Sequence, residues 1–117
     1  MISLMKKRYI IVPKTVEAAN KLDKDLAAPD ELIEIVLTED DFNSLEKSGF
    51  FYFLNNLVGV NIDDYEDEVI EGEGSVQKVL VSIDTFDINS PLKTLLDEIK
   101  ELFKEALLRN TGVYFYF

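Results

Sequence analysis

The 117-residue sequence contains neither cysteine nor histidine, and its 12 lysines and arginines face 23 aspartates and glutamates. Without cysteine there is no disulfide framework and no thiolate metal site. With histidine missing too, the commonest proton shuttle and the best side-chain nucleophile are both absent, which leaves carboxylates, Lys, Tyr, Ser and Thr as candidates for catalysis. The net charge of −11, with a pI near 4.3, provides no basic surface for a phosphate backbone or an anionic membrane. A long apolar run is also lacking: Tyr9, Ile10, Ile11 and Val12 are followed at once by Pro13, far short of a signal-peptide core or a membrane span. The expectation is a cytoplasmic protein that binds neither nucleic acid nor membrane, carries no cofactor or metal, and is not an enzyme.

What is present suffices for a core. Apolar residues make up 47% and aromatics 11% of a chain of one domain's length, so a single α+β domain over residues 1–117 is expected. The strongest signal lies in residues 90–117. Ser90 can cap a helix that Pro91 opens, and Leu92, Leu95, Leu96, Ile99, Leu102, Phe103, Ala106 and Leu107 recur at three- and four-residue spacing. Asn110 and Gly112 offer a helix stop before the aromatic strand Val113-Tyr114-Phe115-Tyr116-Phe117, and both pieces are read as core.

Earlier in the chain, residues 8–12 predict a first strand, and Thr15 can cap a helix with Val16, Ala19, Leu22 and Leu26 on its apolar side, ending at residues 27–30. Residues 31–37 read as a second strand with Ile33, Ile35 and Leu37 on one thoroughly buried face. Thr38 then caps a helix with acids in its first turn and Phe42 and Leu45 inward, and Gly49 ends or bends it. Residues 50–58 fit helical spacing through Phe50, Phe53, Leu54, Leu57 and Val58, a strand over residues 50–54 being the alternative. Residues 75–86 are divided: a helix capped by Ser75 aligns Val76, Val79, Leu80 and Ile83 and leaves Val81 outside, whereas a strand aligns Val79, Val81 and Ile83. The cap favours the helix. The sheet thus has three strands, or four if the Val79 strand forms.

Between Ser48 and Gln77 there is no Lys or Arg, and Asp63, Asp64, Glu66, Asp67, Glu68, Glu71 and Glu73 surround Tyr65. These eight residues are the candidate partner-binding set, with the face over residues 39–46 as second choice. An EF-hand is excluded, because Tyr65 stands at the third oxygen-ligand position and Glu66 where glycine is needed. Gly72 and Gly74 lack a P-loop lysine, sit among acids that would repel an anion, and read as an exposed loop at residues 71–74. The serines have no nucleophile-elbow context, and the paired carboxylates read as a solvated face rather than a glycosidase pair.

The segments Gly49-Phe50-Phe51 with Leu54-Asn55, residues 62–68, and residues 111–117 give the chain a profile that resembles the small acidic immunity proteins of bacterial contact-dependent growth-inhibition systems. The resemblance implies an inhibitor that neutralises a cognate basic toxin, often a nuclease, as in toxin-antitoxin pairs. Independently of it, an acidic patch with a central tyrosine suits the positive cleft of a nucleic-acid-cutting enzyme. The alternative is an acidic, non-catalytic interaction module of some other assembly.

Overall fold

The computed structural model describes residues 7–86 and 92–117. The β-branched N-terminal run forms β1 (Arg8–Pro13), and the edge-forming Leu32–Leu37 segment, β2, pairs with it antiparallel through Ile10↔Ile35 and Val12↔Ile33. The aromatic strand β4 (Gly112–Tyr116) pairs with the other side of β1, and a further strand, β3 (Asp67–Glu71), lies outside β4. The sheet is therefore four antiparallel strands in the order β2-β1-β4-β3. Helices α1 (Val16–Asp23), α2 (Glu39–Ser48), α3 (Phe50–Val58), α4 (Glu73–Ser82) and α5 (Leu92–Arg109) complete the α+β fold.

Alternation along the strands sends side chains to two unequal faces. Ile10, Val12, Ile70, Val113 and Phe115 join Phe42, Leu45, Phe50, Leu54, Val79, Ile99 and Phe103 in the main core, which α2 to α5 cover. Ile11, Leu22 and Tyr114 form a smaller cluster on the reverse face, flanked by Tyr9, Val69 and Tyr116, with α1 supplying Leu22. Phe117, just past β4, packs 5.2 Å from both the Phe42 and Phe51 rings and is 3% exposed.

Several expectations are met at the level of single atoms. Thr15 and Thr38 cap α1 and α2, each hydroxyl accepting from a backbone N–H at 3.0 Å, and Gly49, at φ 85°, divides α2 from α3. The helix over residues 75–84 forms as α4 and a short 3-10 turn at Ile83–Thr85, with Val76, Val79 and Ile83 buried and Val81 67% exposed.

Others are corrected. Ser75 is not the cap of α4: the helix opens two residues earlier at Glu73 behind Gly72, and no side chain caps it, so the predicted 71–74 loop is split between the end of β3 and the start of α4. The fourth strand is β3, not a strand through Val79. Helix α1 stops at Asp23, where Asp25 turns the chain with φ 58°, so Ala18 and Leu22 are buried while Val16 and Leu26 face solvent. Ile33 and Ile35 are only half-buried because β2 is an edge strand. Asn110, at φ 56°, ends α5, and Gly112 belongs to β4. Ser90 and Pro91 lie outside the described residues. Among those described, no helix is long and apolar enough to cross a membrane.

Candidate functional site

The acidic segment is held by specific bonds rather than left as a free loop. Gly59 ends α3 in the left-handed region, and the Asn55 side chain then grips Ile62 from both sides, donating Nδ2 to its carbonyl at 3.1 Å and accepting its N–H at 2.7 Å. Ile62 is buried, which anchors the start of the acids. Asp63 accepts from the Asp64 N–H at 2.8 Å. Tyr65 N–H donates to the Phe117 carbonyl at 3.0 Å and Phe117 N–H to the Glu66 carbonyl at 3.4 Å, so the loop continues the sheet edge past β4.

Tyr65 adopts φ 66°, uncommon for any residue but glycine, and its side chain is 81% exposed. Glu66 accepts from Asn61 Nδ2, and Glu68 accepts the N–H groups of Asn61 and Val69, all at 3.0 Å. These bonds fix where the carboxylates point.

Arg8, missed as a site residue in the sequence, organises one end of the patch. It is 4% exposed, its Nη2 donates to both Asp64 oxygens at 3.0 and 3.1 Å, its Nη1 donates to Glu39 Oε2 at 2.8 Å, and its guanidinium lies 3.9 Å from the Phe42 ring centroid. Burial alone would lower the Arg8 pKa, but its hydrogen bonds to Glu39 and Asp64, with their charges, more than offset this and raise it. Asp64 is therefore a structural ligand of Arg8 as much as a surface acid. The same contact sets the N-terminus of α2, with Glu39, Asp40 and Asp41, beside the 63–68 loop, so the first- and second-choice faces adjoin.

The eight candidate residues do not form one cluster. Asp63, Tyr65, Glu66 and Glu68 stay on the loop and the first part of β3. Asp67 and Glu71, paired in register with Tyr116 and Gly112, share the sheet's reverse face with Val69. Glu73 sits in the first turn of α4, where the helix dipole favours it. Among the described residues, Asp63, Glu66, Asp67, Glu68, Glu71 and Glu73 have no cation within 4.0 Å, whereas Lys21, Lys93, Lys100, Lys104 and Arg109 are paired with acids elsewhere. No group of three or more acids among the described residues could hold a metal ion.

No protein-family model matches the chain, and no curated protein matches it. Among solved structures, it is similar to the Neisseria DNA mimic protein DMP12, with a TM-score of 0.61 over 95% of this chain and 98% of that one. Sequence identity is 17%, so the likeness establishes the shared α+β fold. It does not extend the resemblance to immunity proteins.

Proposed function

We propose that the chain is a non-catalytic binding module that covers the nucleic-acid-binding surface of a basic protein, offering carboxylates where that surface meets phosphates. The observation that carries the reading is that, among the described residues, Asp63, Glu66 and Glu68 have no cation in reach on a segment whose backbone is pinned by Asn55 and Phe117 around the exposed Tyr65, while Asp67, Glu71 and Glu73 are equally uncompensated on neighbouring surfaces. Fixed charges lose little freedom on binding, and opposite charge speeds encounter. The name of the structural neighbour, a DNA mimic, supports the same class of partner. A toxin nuclease is the member of that class favoured by the immunity-like profile at residues 49–55, 62–68 and 111–117.

The test uses a basic DNA-binding protein that the immobilised chain retains and salt releases. Adding the chain should displace fluorescent duplex DNA from that protein. The double variant Asp63→Asn, Glu66→Gln should slow association and flatten its salt dependence while leaving the melting midpoint unchanged or higher. Asp64 is kept intact because its loss would strand Arg8. Association equally fast in the variant at low salt would place the interface elsewhere.

A further inference from the structure

A cleft runs along the reverse face of the sheet, between α1 and the β3–β4 pair. Its two lobes, about 320 and 250 Å3, share Asp23 and Tyr114 in their walls. Asp25, Asp67 and Glu68 line the larger lobe and Glu71 the smaller, so with Asp23 the end of α1, the turn after it and β3, far apart in sequence, bring five carboxylates to one groove. Among the described residues, no Lys or Arg lines either lobe.

Tyr114 is what makes the groove more than a patch of acids. Its ring is packed with Ile11 and Leu22, it is only 7% exposed, and its centroid lies 6.1 Å from that of Tyr116. Its hydroxyl has no hydrogen-bond partner among the described residues, yet no polar side-chain atom there is sealed off without a partner, so the hydroxyl opens into the cleft. A phenol buried to this degree ordinarily finds a partner. Burial, followed by the charges of Asp23 and Glu71, pushes the Tyr114 phenol up to about 12, and burial with Tyr114, Asp23, Asp67 and Asp25 does the same for Tyr116. Both phenols are thus neutral at physiological pH and able to accept a hydrogen bond.

These five acids do not converge on a point, as a metal ion would require. They flank an apolar floor of Leu22, Val69 and the two tyrosine rings. This combination matches a cation at the end of an aliphatic stem. We propose that the cleft receives one arginine or lysine side chain of the basic partner, its stem against Tyr114 and Tyr116 and its head donating to the Tyr114 hydroxyl and the surrounding carboxylates. The proposal deepens the binding reading above by adding a contact that selects a protein cation, on a face separate from the Tyr65 loop.

The experiment needs no partner. Nα-acetyl-arginine amide is titrated into protein with labelled amides and tyrosine rings, and chemical shifts are followed. Saturable shifts confined to Asp23, Val69, Tyr114 and Tyr116 are expected, with binding about fivefold weaker in Tyr114→Phe, which removes only the unpartnered hydroxyl, and lost in Asp23→Asn/Glu71→Gln. Shifts that grow linearly, spread equally to Asp63, Glu66 and Glu73, persist in both variants and are reproduced by sodium chloride at equal ionic strength would overturn the cleft. Arginine binding in a chain that fails to displace DNA from a basic protein would instead sink the functional reading and leave the cleft standing. The converse result would remove the cleft alone.

Discussion

Tyr65 shows how a single residue can be held in place at a cost. A left-handed backbone costs a non-glycine residue about 1–2 kcal/mol, and here it is maintained by a shared bond from its N–H to the Phe117 carbonyl and Asp64 Oδ1. The result is a tyrosine that is 81% exposed amid carboxylates. Tyr65→Gly should therefore keep or raise the thermal midpoint, whereas the β-branched Tyr65→Val should lower it, as calorimetry of the two variants would show. If Tyr65 is an interface anchor, both changes raise the off-rate from the partner by a similar factor. A Tyr65→Gly protein that melts markedly earlier would show that the ring stabilises the fold after all.

At the scale of elements, the acidic face depends on how closely β3 approaches β4. A Cβ on Gly112 would sit 2.9 Å from Glu71 Cβ and 3.0 Å from the Ile70 carbonyl oxygen, a distance that real contacts avoid. Gly112→Ala should push the two strands apart, destabilise the fold by about 1–3 kcal/mol, and speed hydrogen exchange at the β3 amides before those of β1. Uniform exchange across the sheet would contradict this. The strand itself was not legible in the sequence, for a physical reason. Val69 and Ile70 are adjacent, so they point to opposite faces, each used by a different cluster, and the alternation that announces a one-sided strand never appears. Helix α4 was legible because Val76, Val79 and Ile83 share one stripe, although its start was misplaced where Gly72 did the work expected of Ser75. The candidate site was legible only as composition. That Asp64 would serve Arg8, and that Asp23 and Asp25 would meet Asp67 across a groove, depends on topology, which local spacing does not encode.

For the molecule as a whole, the distribution of charge sets how stability responds to pH. Tyr114 and Tyr116 hold their protons to about pH 12 in the fold against an ordinary value of 10, so the folded state binds more protons than the unfolded chain between those limits. Their contribution is intact below pH 10 and declines as pH rises towards 12, by roughly 2 kcal/mol for each phenol. Denaturant midpoints at pH 8 and pH 11.5 should show this loss, and Tyr114→Phe should reduce it. An equal loss in that variant would assign the alkaline instability to the neutralisation of the lysines, which leaves the carboxylates less compensated.

The central placement of β4 governs when such a protein can begin to act. It is the last of the four strands to leave the ribosome, yet it lies between β1 and β3, and Tyr9 must find Tyr116 from the far end of the chain. Until then β1 and β2 can zip together as they emerge, but β3 has no neighbour to pair with, and the Tyr65 loop lacks the Phe117 carbonyl that sets its shape. Nascent chains waiting in this state carry two vacant strand edges, and the acids on β3 keep one of them from sticking to other chains. The acidic loop would thus take its final shape only in finished molecules, so any binding through it would lag translation by the time β4 needs to insert.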